Sequence, residues 1–181
     1  MTNVGDRLHL SRRAEGASPV TYPEPRYRGH SGLTSATYRP TGHDPEVTYS
    51  SGGTVHYLAT GDSTGGQFGL YRWEMAPAQS GPDAHFHRTI SESFYVLSGT
   101  IRLYDGKEWT DAKPGDFLFV PEGGIHAFKN ESGAPTSMLI LFAPGAPRED
   151  YFETLARVGR GLELTDEEKA AFYVRHDTYW L

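Results

Sequence analysis

Four residues of this chain have the types and spacing for metal chemistry. In "HFHRTISESFYVLSG", His85 and His87 stand one residue apart, and Glu92 follows five positions after the second histidine. A third histidine, His126, comes after "PEGGI" and opens "HAFKN". On a β-strand, residues i and i+2 share a face, so His85 and His87 project side by side while Phe86 points the other way. The intervening "RTIS" can reverse or bulge the chain and set Glu92 beside the pair at the start of the next strand. Imidazole nitrogens and a carboxylate oxygen suit a divalent transition metal. The 2-His-1-carboxylate combination among them is the one used by non-haem iron oxygenases. An HxH pair alone also occurs on ordinary strands. The remaining histidines (His9, His30, His43, His56 and His176) read as surface or half-buried groups.

Composition narrows the chemistry further. The chain has 181 residues, no cysteine and a formal net charge of −6. Without thiols, disulfides and thiolate sites are excluded, so any metal must rest on histidine and carboxylate. No long basic run argues for a nucleic-acid partner. No apolar run approaches the ~20 residues that cross a bilayer. The opening "MTNVGDRLHLSRRAEG" lacks the apolar core of a secretory signal. A soluble cytoplasmic protein is therefore the expectation.

The elements that must position these residues are short strands. From residue 54 onward, "TVHYLA", "QFGLYRWEM", "AHFHR", "SFYVLSG", "TIRLYDG", "KEWTDA", "DFLFVPEG", "IHAFKN" and "TSMLILFA" follow one another. Each is rich in β-branched and aromatic residues and bounded by Gly, Pro, Asp or Asn, the texture of an all-β barrel or sandwich. Asp105-Gly106 marks a hairpin turn. In "LYRWEM", Arg72 and Glu74 share one face and Tyr71, Trp73 and Met75 the other; alternation alone leaves open which is inside. Residues 1–45 are Pro-rich and irregular, and Tyr22, Tyr27 and Tyr38 favour an arm laid on a surface. "LTSATY" is a segment that can add a strand to a sheet edge. After Pro147, Phe152, Leu155 and Val158 fit one helical face closed by Gly159, and "TDEE" from Thr165 opens a second helix with a capping box. The final "RHDTYWL" is aromatic and expected to dock. The division expected is an arm over 1–45, a β-barrel over 46–146 and a helical tail over 147–181.

On these residues the chain resembles the cupins. Their first motif is G(X)5HXH(X)3,4E(X)6G, and this chain has His85-Phe86-His87, four residues, Glu92, six residues and Gly99. Their second is G(X)5PXG(X)2H(X)3N. It is met in full by Gly115, Pro121, Gly123, His126 and Asn130. The one departure is the opening glycine: Gly81 stands four positions before His85 rather than six. The runs "LATGDSTGGQFGLYRWEM", "LFAPG" and "YFETLARVG" resemble the quercetin 2,3-dioxygenases and their relatives.

The resemblance implies a jelly-roll double-stranded β-barrel. It implies that His85, His87, Glu92 and His126 hold one divalent ion, with Fe, Mn, Ni, Co, Cu and Zn all fitting the donor set. In the quercetinases a flavonol and dioxygen meet at the metal, and the glutamate takes a hydroxyl proton. Glu92 would then be both ligand and general base. By parity with the ligands, Phe94 and Phe128 are expected to face a cavity for a planar small molecule. Two other readings fit a metal cupin: non-oxidative chemistry of an isomerase or cyclase type, and small-molecule binding without turnover. The resemblance also implies a homodimer.

Overall fold

The computed structural model describes residues 21–77 and 81–181. The first twenty residues of the expected arm, His9 among them, lie outside the described residues. The chain divides into two units, residues 1–38 and 39–181. In the first, residues 21–38 form neither helix nor strand. Tyr22 and Tyr38 are exposed. "LTSATY" is coil with exposed side chains.

The second unit is built from short antiparallel strands. They are β1 (Val47–Thr48), β2 (Thr54–Ala59), β3 (Gly69–Met75), β4 (His85–Phe86), β5 (Ser91–Ser98), β6 (Ile101–Tyr104), β7 (Trp109–Ala112), β8 (Phe117–Val120), β9 (Ala127–Lys129) and β10 (Thr136–Ala143). Helices α1 (Glu149–Val158) and α2 (Asp166–Arg175) and a last strand, β11 (Tyr179–Trp180), complete it. One sheet runs β1-β2-β3-β10-β5-β8, a second β7-β6-β9, and β11 pairs with β4. The all-β jelly-roll expectation is met.

Alternation decides which faces meet. Along β3, Tyr71, Trp73 and Met75 are buried and Arg72 and Glu74 are not, which settles the face that the sequence leaves open. Along β10, Thr136, Met138, Ile140 and Phe142 are buried in the same rhythm. Register brings Ile140 opposite Tyr71 on one side and Phe94 on the other, while Phe142 lies opposite Glu92. Such apolar cross-strand pairs stabilise the sheet. The second sheet closes over this face through Phe128, whose ring centroid is 5.8 Å from that of Trp73 and 5.6 Å from that of Phe94.

Two motif residues fix the turns. Gly99 joins β5 to β6 at φ 74°, and a Cβ there would meet the Pro135 carbonyl at 2.7 Å. Asn130 is buried at the end of β9. Its amide donates to the Ala76 and Ala134 carbonyls, and its oxygen accepts from the amide and hydroxyl of Ser132.

The tail is part of this unit's core. Phe152 packs edge-on against Tyr71 and Trp73, at 5.1 and 5.2 Å. Leu155 and Val158 are only half-buried; Tyr151, Thr154 and Ala156 join Phe152 in burial instead. The helix has a second packing partner, since Tyr151 stacks on Phe172 of α2 at 5.3 Å. The Thr165–Glu168 capping box forms as expected. Tyr71 also donates its hydroxyl to Glu149 at 2.6 Å, tying α1 to the barrel.

Asn130→Ala is expected to cost on the order of 3 kcal/mol, because it removes several buried hydrogen bonds at once. Denaturant unfolding of the two proteins, compared at the transition midpoint, measures this; a loss within 0.5 kcal/mol, roughly the scatter of surface substitutions, would rule the account out.

Candidate metal centre

The four donors sit where strands end. His85 and His126 face each other across an isolated antiparallel bridge, exchanging main-chain hydrogen bonds of 3.1 and 2.9 Å. His87 lies just past β4, and its carbonyl accepts from Gly123 N–H at 2.7 Å. The second motif's glycine turn is thereby pinned to the first motif. Glu92 is the second residue of β5, on its inward face. All four side chains are buried, and one ligand atom from each lies within 4.8 Å of all the others.

What aims them is a shared device. His85 Nδ1 lies 2.8 Å from the Asp83 carbonyl, His126 Nδ1 3.0 Å from the Gly124 carbonyl, and His87 Nδ1 is paired with the Asp177 carbonyl. A carbonyl only accepts, so each Nδ1 carries the hydrogen and each neutral ring presents its Nε2 lone pair. Yet Glu92 Oε2 stands 2.7 Å from His126 Nε2 and 3.1 Å from His87 Nε2. Lone pairs that close need a proton or a metal cation between them. The donors present therefore fit a divalent ion.

The charges agree. Burial opposes an ionised carboxylate, but His126 and His87 outweigh it and hold Glu92 below its usual range. Burial likewise opposes a charged His126, and Glu92 outweighs it, raising that histidine. Burial, reinforced by His126, pushes His85 down to about 4, so it is neutral and ready to ligate at pH 7. A metal ion held by this cluster would take the place of a proton between His126 and Glu92.

One support of the site was not legible beforehand. Asp177, in the tail, adopts φ 52°, a conformation that Asp tolerates better than most residues. Its carboxylate caps the Arg88 and Thr89 amides while its carbonyl takes the His87 hydrogen bond. β11 then pairs with β4, setting Trp180 opposite His85. The aromatic, turn-prone "RHDTYWL" is the only signal that could have found this. Arg148, a buried residue of the cavity beside the cluster, is not marked by anything in "APGAPRED". His56 and His176 are buried, contrary to the reading of them as surface or half-buried. His176 is held by Asp150 at 3.1 Å, and His56 lies behind Glu74 and Arg72 on the outer side of β3.

The cluster opens on a cavity of about 780 Å³. His85 and Glu92 form its polar floor, and Trp73, Phe128, Phe142 and Tyr151 are among its walls. Phe128 thus lines the cavity. Phe94 lies behind that wall, fully buried, between Phe128 and His126.

Comparison with known proteins comes to the same place. Residues 71–142, which include all four donors, match the family model Cupin_2: Cupin domain. The chain is 32% identical over 153 residues to a quercetin 2,3-dioxygenase of Bacillus subtilis (strain 168), covering 79% of this chain and 44% of that protein. It is 33% identical over 66 residues to an uncharacterized protein of Aquifex aeolicus (strain VF5), covering 36% and 54%. The chain spans about half the length of these curated relatives. Among solved structures, a predicted oxalate decarboxylase of Thermotoga maritima shares the fold, with TM-score 0.52 and 21% identity over 60% of this chain and 99% of that one. Among the described residues no helix is long and apolar enough to cross a membrane.

Metal affinity should fall as pH drops, because binding expels a proton from a histidine whose folded pKa is raised. Zinc titrations followed calorimetrically in buffers of different ionisation enthalpy are expected to show proton release that grows as the pH is lowered. His126→Ala should lose most of the bound metal and keep its circular dichroism spectrum. Binding without proton release would contradict the assignment.

Proposed function

We propose, from the premise that the chain belongs to the cupin superfamily, that it is a quercetinase-like dioxygenase. Its substrate on this reading is a planar aromatic or enolic small molecule that reacts with dioxygen. The observation that carries the proposal is a buried carboxylate set among three aimed imidazoles on the floor of an aromatic cavity. A divalent transition metal held by His85, His87, Glu92 and His126 would supply Lewis acidity and open coordination positions.

The chain's own groups do the rest. Glu92 turns Oε2 toward His87 and His126, and Oε1 makes no hydrogen bond among the described residues. Ionised at neutral pH, it can take the hydroxyl proton of a bound enol or phenol through that second oxygen, as a general base. Phe128, Phe142 and Trp73 offer ring faces to a flat substrate and exclude water from the floor. The dioxygenase similarity of the Bacillus subtilis relative supports this reading.

Dioxygen uptake over a flavonol panel tests it. Uptake is expected to require both metal and substrate, and Glu92→Gln should lower kcat by about 10²-fold or more while metal content falls much less. Turnover without oxygen would replace the reading with isomerase or cyclase-type chemistry, and binding without turnover with a carrier role. Equal losses of metal and rate would reduce Glu92 to a ligand alone.

We also propose a homodimer formed through the outer face of β8. This strand ends the six-stranded sheet, and its Phe117 and Phe119 are 63% and 56% exposed beside Tyr95 and Leu97. Exposed aromatics on an open sheet edge mark a pairing surface, and a second copy offers the same patch in return. Light scattering should give a dimer for the wild type and a monomer for Phe119→Glu; a monomeric wild type at micromolar concentration would exclude it.

A further inference from the structure

Arg148 is a charged group that the metal site does not use. It lies between β10 and α1, is 4% exposed, and lines the same cavity as His85 and Glu92. Among the described residues no carboxylate stands within ion-pairing distance of it. Its guanidinium lies against three aromatic rings: Tyr151 at 4.1 Å, Phe142 at 5.0 Å and Phe152 at 5.8 Å. One N–H donates to the His176 carbonyl at 2.6 Å. Its Nε–H is buried with no acceptor.

Burying a cation with ring faces and one carbonyl for company is unfavourable, and such charges are ordinarily paired. Cation–π contacts hold the guanidinium in position and leave its in-plane donors free. A second orphan lies nearby. Trp73, whose ring also packs on Phe152, carries an indole N–H that is buried without a partner, and it too lines the cavity. Both of these unpartnered groups are donors, while Glu92, the buried carboxylate of the chamber, turns Oε2 to the histidines and Asp83, which also lines it, is exposed. A ligand that completes it must bring acceptors, and one acceptor must carry negative charge.

We propose that Arg148, with Trp73 beside it, receives an anionic oxygen substituent of the substrate, so that the preferred ligand is an aromatic carboxylate and not a neutral ring. The inference rests on the reading of this cavity as the substrate pocket. It assigns Arg148 as a specificity-determining residue, 22 positions beyond the last metal ligand in the chain. Its planar fork matches a carboxylate in two-point contact, which a lysine ammonium does not reproduce.

The experiment measures binding, not turnover, so its outcome is independent of whether the chain is an oxygenase. Benzoate, salicylate and phenylpyruvate are titrated calorimetrically against their neutral amides, using the full chain both metal-free and zinc-loaded. Each acid is expected to bind about tenfold or more tightly than its amide in both forms. Arg148→Gln should erase that preference while amide binding persists; Arg148→Lys should keep part of it, and Trp73→Phe should weaken the acids more than the amides. Because Arg148 also holds the His176 carbonyl, thermal unfolding of each variant separates lost recognition from a loosened tail, and the wild-type comparison needs no variant at all. Equal affinity for acids and amides across the panel would overturn the proposal, as would failure of the wild type to bind any acid. A preference that survives Arg148→Gln would place the anion away from Arg148, on the metal if it survives only in the zinc-loaded form, and overturn it equally.

Discussion

Three imidazole rings hand their Nδ1 hydrogens to main-chain carbonyls, and the geometry of the whole site follows. A histidine with that hydrogen committed has one lone pair left, and the backbone decides where it goes. The carbonyls of Asp83, Gly124 and Asp177 come from three different stretches of chain. The aim of the rings is therefore a property of how β4, the turn before β9 and the tail are held together. The His85–His126 bridge and the His87–Gly123 hydrogen bond fasten the first two of these, and β11 on β4 fastens the third. Glu92 completes the cluster from β5, whose register against β10 puts its carboxylate opposite Phe142 and inside the barrel.

The walls of the cavity and the core of the protein are largely one set of rings. Trp73 and Phe152 meet at 5.2 Å within the buried cluster, and both also border the cavity. Phe128 is shared in the same way. A side chain shaping a pocket from inside a close-packed core is hard to exchange, because a change in volume is felt on both sides. Variation in ligand preference is easier to accommodate at the mouth, where Ser50, Pro82 and Trp180 stand. Arg148 belongs with the buried wall, braced by rings and charged.

Much of this was legible because it is local. The HxH spacing, the position of Glu92 and the glycines around Pro121 are short-range signals, and period-two alternation carries them onto the right face. The capping box at Thr165 and the hairpin at Asp105-Gly106 are equally local and were equally readable. The inward face of β3 was not, since both of its faces carry large side chains; only the pairing of Met138 and Ile140 with Trp73 and Tyr71 decides it. Asp177 meets His87 across 90 positions, and Arg148 earns its place only once α1 has folded over the barrel. The burial of His56 and His176 is of the same kind, set by neighbours from other elements. The partners of Asp177, His56 and His176 lie outside any short window, and although Arg148's rings are near it in the chain, its bond to the His176 carbonyl is not.

The docking of the tail onto β4 sets an order of assembly. A chain made from its N-terminus presents His85, His87, Glu92 and His126 well before residue 177 exists. Until Asp177 arrives, nothing fixes the tautomer of the His87 ring, and the Arg88–Thr89 turn lacks its cap. The aim of the His87 ring is thus the last feature of the cluster to be set, when β11 pairs with β4 and the Asp177 carbonyl reaches the imidazole.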